Sequence, residues 1–272
     1  MILHYEISDL GPYINWPYFF FAWQIKQKEE QERMRNEAES FLRTIEGQYQ
    51  AHAIFKLFEA YSDDDDIVIS PSRTRIPCLR QQQQDSGYHC LADFISPNQT
   101  ALANLGSSYT SHQIGLFATS TDIGMETDFS HDPYQKMMAQ LLADRLSEAA
   151  AERMHEEVRK QYWGYAPEEH LSIEDLHMER FQGIRPAVGY PSLPDTSLNF
   201  LLDRLLDMKQ IGIRLTESGA MRPHASVSGM MIAHPKAHYF NIGKIGEDQL
   251  RDYARRRGLP IEVVRKFLST NL

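Results

Sequence analysis

The sequence predicts an α+β fold in which an antiparallel sheet is flanked by helices. In one long stretch, residues 132–163, apolar side chains recur every three or four positions, as on the buried face of a helix. Several short runs of β-branched and aromatic residues follow one another between turn-like segments. Because strands and helices do not alternate regularly, we do not expect a parallel sheet built from βαβ units.

The first part of the chain supplies one helix and the beginning of the sheet. Residues 26–48 are rich in Glu, Gln, Lys and Arg, and their spaced apolar positions mark one buried stripe of a helix. Strands are expected on either side of the four aspartates at residues 63–66. We interpret this run as a polar hairpin turn, because the ligand spacing of a calcium loop does not follow it. Further strands are predicted at residues 74–79, 88–95 and 113–119.

The long helix is expected to begin near Asp132 and to carry Glu148 at the edge of its apolar face. Glu148 lies two turns from Leu141 and only about 20° off the same line. The residue types alone favour a solvated carboxylate or an ion pair with Arg145.

The last part of the chain alternates short helices and strands. Ser172 can form a capping box, and residues 195–197 can cap the helix that follows them. The remaining elements are predicted as strands at residues 227–232 and 238–242, a helix at 247–257 and a short helix after Pro260.

Length and composition indicate a globular protein with its own core. The chain has 272 residues, of which 42% are hydrophobic, enough for one large domain or two small ones. A formal net charge of -9 argues against a general affinity for nucleic acid or anionic membranes. Two cysteines are too few for a disulfide framework, and no apolar signal segment led by Lys or Arg begins the sequence. We therefore expect a cytoplasmic protein.

Several common kinds of active site find no support in the sequence. The Gly-rich strings of dinucleotide and phosphate sites and the Gly-x-Ser-x-Gly elbow of serine hydrolases do not occur. His234 and His238 have the spacing of helical metal ligands, but Pro235 between them disrupts such a helix. We assign no metal site.

Residues 184–197 form the segment to which we assign the functional site, and we call it the ligand loop. Its three prolines lack amide donors and its glycine can adopt positive φ, so it should be a rigid, irregular loop. Arg185 and Tyr190 would then offer a guanidinium and an aromatic face to a ligand that carries a carboxylate and a planar ring. The alternative is that Arg185 pairs with a neighbouring acid and Tyr190 fills the core.

The string Arg-Pro-Ala-Val-Gly-Tyr-Pro at residues 185–191 closely resembles a signature of the S-adenosylmethionine-binding activation domain of cobalamin-dependent methionine synthase. The resemblance covers roughly residues 13–272. Further strings that resemble this family, in the same order, lie at residues 14–16, 90–94, 162–167, 215–218, 225–229 and 252–256. The resemblance implies a single α+β domain over residues 1–272, with a curved outline and a long central antiparallel sheet.

The resemblance also implies an S-adenosylmethionine site. Its expected residues are Asn15, Glu148, Arg185, Gly189, Tyr190, Ser192, Tyr239 and Phe240. Arg185 would bind the ligand carboxylate, and Glu148 would accept from its ammonium. Tyr190 and the backbone near Ser192 would serve the adenosyl portion.

Three of these positions depart from the family pattern. Asn15 stands where the family has an aspartate that helps to hold the ammonium, so one countercharge is lost. Phe240 replaces a tyrosine that borders the ligand beside Tyr239. Ser192 stands where the family can have alanine, a change that matters little if only the backbone binds.

The resemblance further implies reductive methylation as the activity. Cob(II)alamin would receive an electron from a flavodoxin-like donor and a methyl group from S-adenosylmethionine, which makes the chain a methyltransferase module. The sequence contains no Asp-x-His-x-x-Gly string of a corrinoid carrier, so cobalamin would come only with the cobalamin-binding module of a methionine synthase acting in trans. Two alternatives remain: a module that senses S-adenosylmethionine or docks on another corrinoid protein without methyl transfer, and a degenerate domain retained for assembly.

Overall fold

The computed structural model describes residues 1–82, 87–97 and 112–272, and their helices and strands form the predicted α+β fold. The α-helices of these residues are α1 (Ile7–Leu10), α2 (Trp16–Ala22), α3 (Lys28–Ile45), α4 (Gly124–Thr127), α5 (Pro133–Glu157), α6 (Ile173–His177), α7 (Leu198–Leu206), α8 (Glu247–Arg257) and α9 (Ile261–Phe267). Of these helices, none combines the length and the apolar character needed to cross a bilayer.

The described strands form a six-stranded sheet and a short two-stranded ribbon. They are β1 (Ile2–Glu6), β2 (Gln50–Asp63), β3 (Asp66–Ile69), β4 (Thr74–Pro77), β5 (Gln113–Thr121), β6 (Arg214–Leu215), β7 (Met221–Arg222) and β8 (Ser226–Met231). The sheet order is β4, β3, β2, β5, β8, with β1 paired antiparallel to β2 outside this path, while β6 and β7 make the ribbon. β5 is an inner strand, and its residues 114–121 are all buried.

The chain is organised as two compact units. Unit 1 comprises Met1–Phe55, Phe117–Arg180 and Leu206–Val227, and unit 2 comprises Lys56–Leu116, Phe181–Leu205 and Ser228–Leu272. The single domain expected over residues 1–272 stays a prediction.

The longest helix of unit 1, α5, begins and ends with specific side-chain contacts. The Asp132 carboxylate accepts from the amides of Tyr134, at 2.8 Å, and Gln135, at 3.2 Å, so the helix is capped where the sequence predicted its start. The helix continues into a π-helical turn, Val158–Tyr162. In that turn the fully buried Arg159 side chain lies 2.6 Å from a carboxylate oxygen of Glu169.

In unit 2 the aspartate run is a hairpin turn, as predicted, but one of its members is buried. β2 ends at Asp63 and β3 begins at Asp66, which is 2% exposed. The Asp66 carboxylate pairs with Arg75, at 2.9 Å, and with Arg256 of α8. A buried carboxylate needs such partners, because desolvation without them is costly.

Two of the predicted strands are wrong. Residues 88–95 contain a 3₁₀ turn, Leu91–Phe94, because the Asp93 carboxylate accepts from the amide of Cys90 at 2.9 Å and caps the turn. Residues 238–242 are irregular. Here the amide and carbonyl of Phe240 bind the Ser192 hydroxyl, and the amide of Ile242 donates to the carbonyl of Pro191.

Replacing Glu169 with glutamine should destabilise the protein. The Arg159 guanidinium would stay buried opposite a neutral group, so the free energy of unfolding should fall by about 3 kcal/mol in urea denaturation. Glu168→Gln removes a charge from the exposed neighbouring side chain and should change it by less than about 0.5 kcal/mol. Equal stabilities of the two variants would show that the buried pair contributes nothing.

Candidate functional site

The first part of the ligand loop is attached to the β8 side of unit 2 by backbone hydrogen bonds. The amide of Ile184 donates to the carbonyl of Ile232 at 2.9 Å, and the amide of Ile232 donates back at 2.9 Å. Further along, the amide of Val188 donates to the carbonyl of Ser228 at 2.9 Å. The chain enters this pairing through Gly183, where a Cβ atom would lie 2.3 Å from the carbonyl oxygen of Ile232, so only glycine fits.

The middle of the ligand loop is a tight turn centred on Gly189 and Tyr190. Gly189 has φ +91, a conformation that favours glycine, and its amide donates to the carbonyl of Leu193 at 2.8 Å. The amide of Leu193 donates to the carbonyl of Tyr190 at 2.8 Å. Tyr190 is 56% exposed, so the alternative in which it fills the core is wrong.

Ser192 joins the ligand loop to the segment around Phe240 through its side chain. The buried Ser192 hydroxyl donates to the carbonyl oxygen of Phe240 and accepts from the Phe240 amide at 3.1 Å. The next contact is a backbone bond, in which the amide of Ile242 donates to the carbonyl of Pro191 at 3.0 Å. An alanine at position 192 would leave the buried Phe240 amide without this acceptor, so the hydroxyl has a structural role.

Arg185 and Tyr239 also meet in unit 2. The Arg185 amide donates to the Tyr239 hydroxyl at 2.9 Å, which fixes the backbone from which the guanidinium projects. The Arg185 side chain is half-buried. These contacts therefore join four of the expected site residues of this unit in two pairs. Arg185 contacts Tyr239, and Ser192 contacts Phe240.

Three rings lie around Phe240. We call these four residues the ring cluster: Phe94, His89, His238 and Phe240. The centroid of Phe240 lies 5.7 Å from that of His89, 6.3 Å from that of His238 and 6.4 Å from that of Phe94. The His234 ring is tilted against that of Phe94, with the centroids 6.2 Å apart. Burial, with a smaller effect of Lys236, lowers the pKa of His234. A lowered pKa keeps this imidazole neutral at pH 7.

Sequence reasoning missed Phe94 and His89 as neighbours of the expected site. The available signal was the family-like string at residues 90–94, whose last member is Phe94. No local pattern predicts a ring contact with a residue so distant in sequence.

Asn15 and Glu148 belong to unit 1. Asn15 stands just before α2, is half-buried, and does not use its side chain to cap the helix.

Glu148 is half-buried on α5, at the edge of the apolar face as predicted. One turn earlier, Asp144 has a raised pKa, chiefly because it is buried. The charge of Arg145 lowers this pKa, and that of Glu148 raises it further. Arg145 lies over the ring of Tyr18 at 5.9 Å.

Comparisons with known proteins show the family to which the chain belongs. Residues 6–258 match the family model described as the vitamin B12 dependent methionine synthase activation domain. The crystal structure of the MetH reactivation domain bound to AdoHcy is similar to this chain, with a TM-score of 0.90 and 37% sequence identity. The match covers 100% of this chain and 90% of that one. The chain belongs to the activation-domain family of vitamin B12 dependent methionine synthase.

Proposed function

We propose that the chain binds S-adenosylmethionine and supports reductive methylation of cob(II)alamin in a separate cobalamin-dependent methionine synthase, as part of methionine biosynthesis. The observation that carries this proposal is the ligand loop, whose backbone is fixed by hydrogen bonds while the side chain of its Tyr190 remains exposed. Family membership and a similar structure bound to AdoHcy support it, since AdoHcy is what S-adenosylmethionine becomes after it gives up its methyl group.

The residues of unit 2 fit the chemistry of the ligand's carboxylate and adenosyl ends. Arg185 offers a planar guanidinium, which can bind a carboxylate through two parallel hydrogen bonds. Tyr190 offers an exposed ring face for adenine, and Gly189 allows the backbone to approach closely. Tyr239 and Phe240 are held to this loop by the contacts of Arg185 and Ser192, so they can border the same ligand.

For the ligand's ammonium we propose Glu148 and Asn15. A carboxylate and an amide oxygen both accept hydrogen bonds, but only Glu148 also supplies a negative charge. Asn15 therefore makes a weaker partner than the aspartate that it replaces. We expect the parent protein to bind S-adenosylmethionine with an affinity that this substitution has reduced.

The chain's contribution to the reaction would be placement. S-adenosylmethionine carries an activated methyl group, and the reduced corrinoid of the partner supplies the nucleophile. The protein therefore needs no general acid or base, and its residues have to hold the sulfonium in one position. The corrinoid would come with the cobalamin-binding module of the partner, and the electron with a flavodoxin-like donor.

A methyl-transfer assay tests the proposed function. The partner would be a methionine synthase that lacks its own activation domain and is held in the cob(II)alamin form, mixed with a reductant and S-adenosylmethionine labelled in the methyl group. We expect label on the corrinoid and recovery of methionine synthesis only when the chain is added. Binding of S-adenosylmethionine without transfer would contradict the proposal and favour the sensing module.

Arg185→Ala should weaken S-adenosylmethionine binding by about 2 to 4 kcal/mol, or roughly 30- to 1000-fold, because the ligand carboxylate loses a bidentate partner. Arg185→Lys should restore only part of the affinity, since an ammonium cannot form the paired bonds. Calorimetry measures both. Arg251→Ala, at an exposed position of α8, is the matched control and should bind like the parent. Unchanged affinity in folded Arg185→Ala would remove this residue from the site.

Asn15→Asp should tighten S-adenosylmethionine binding by about 5- to 30-fold at pH 7, because a charged acceptor replaces a neutral one for the ligand ammonium. The ammonium lowers the pKa of the new carboxyl, so the gain should be present at neutral pH and be lost as the pH falls through that pKa.

Calorimetry from about pH 5 to 8 checks this dependence for Asn15→Asp. Asn36→Asp makes the same charge change at an exposed position of α3 and controls for net charge. If Asn15→Asp binds like the parent at every pH, position 15 does not contact the ligand. Affinity that improves as the pH falls would indicate repulsion between the added carboxylate and a neighbouring acid instead.

A further inference from the structure

Near its end, the ligand loop carries a buried carboxylate, Asp195. This residue is 1% exposed, and its Oδ1 atom accepts from the amide of Ser197 at 2.9 Å. Its Oδ2 atom accepts from the Tyr253 hydroxyl at 2.8 Å and lies 3.2 Å from Nε of Arg257. Arg257 also donates from Nη2 to the Ser197 hydroxyl at 2.8 Å. Both carboxylate oxygens of Asp195 are therefore engaged, as a buried charge requires.

Asp195 connects three parts of unit 2. It lies three residues before the start of α7, and its carbonyl accepts from the amide of Leu198 at 3.1 Å. It lies two residues after Leu193, whose carbonyl closes the turn with the amide of Gly189. Its two side-chain partners, Tyr253 and Arg257, lie on α8. A shift of Asp195 would therefore be transmitted along a short stretch of chain to the turn that carries Tyr190.

Tyr253 and Arg257 lie on one face of α8 because they are four residues apart. Tyr253 is 1% exposed, and burial followed by the Asp195 charge raises its pKa well above the usual range, so its hydroxyl remains a donor. By contrast, Arg255 is exposed and pairs with Asp252 on the same helix. The proposed ligand contacts do not explain the family-like string at residues 252–256, whereas the Asp195 contact gives its tyrosine a role.

We infer that Tyr253 and Arg257, acting through Asp195, are positioning residues of the ligand loop: they fix the end of the loop opposite to the one that β8 holds. The inference rests on the proposed function, because the loop is positioned for S-adenosylmethionine. None of the three residues is expected to touch the ligand. A buried ion pair is weak evidence for stability on its own, and its best-attested role is to select one arrangement of the chain.

Tyr253→Phe tests the inference because it keeps the ring and removes one hydrogen bond to Asp195. Calorimetry with AdoHcy should show roughly 5- to 20-fold weaker binding in the folded variant. Amide hydrogen exchange of the free protein should become faster at residues 187–193, while exchange in α5 of unit 1 stays unchanged. Arg255→Gln removes an exposed positive charge from the same helix and should change neither measurement.

The outcomes separate the inference from the proposed function. Unchanged affinity for AdoHcy would overturn the inference, because it excludes an effect of Tyr253 on ligand binding. Amide exchange that accelerates equally throughout the protein would also overturn it, because it indicates a general loss of stability. If the parent binds no AdoHcy, the proposed function is wrong. The exchange rates then still decide whether Tyr253 holds the loop: acceleration confined to residues 187–193 supports this role, and unchanged rates overturn it.

Discussion

The candidate site depends on how the backbone of the ligand loop satisfies its hydrogen bonds. Three prolines remove donors from the loop, and its remaining buried amides and carbonyls must find partners outside a regular ladder. The residues beside β8 serve the first part, Phe240 and Ile242 serve the middle, and Asp195 with α8 serves the end. A loop bound at three places loses little further conformational entropy when a ligand binds. This raises the affinity for the ligand and keeps the ligand in one orientation.

In this arrangement the backbone holds the ligand loop in place, and the side chains select the ligand. The backbone contacts use groups that any sequence would offer. The choice of ligand therefore falls to side chains of the loop, above all the half-buried Arg185 and the exposed Tyr190. The other rings of the ring cluster support Phe240, since aromatic rings at these separations stabilise one another. A methyl transfer that relies on placement needs such rigidity more than it needs a titrating group.

The sequence predicted the elements whose signals are local. The helix at residues 247–257 has its predicted bounds because acidic residues begin it and Gly258 ends it, and the Ser172 capping box likewise precedes α6. The strand predicted at residues 238–242 was wrong because Ser192, far away in sequence, supplies the partners of Phe240. For the site, the residues alone indicated only Arg185 and Tyr190. The other expected positions came from the family resemblance, and the Asp195 contacts required the structure.

The central claim is that the ligand loop is a preformed receptor for the carboxylate and the adenosyl portion of S-adenosylmethionine. The most direct measurement is a crystal structure of the protein with and without AdoHcy. The account predicts the ligand carboxylate against the Arg185 guanidinium and the backbone of residues 184–193 within about 1 Å in the two states. AdoHcy bound away from Arg185, or a loop that rearranges by more than about 2 Å when the ligand binds, would contradict it.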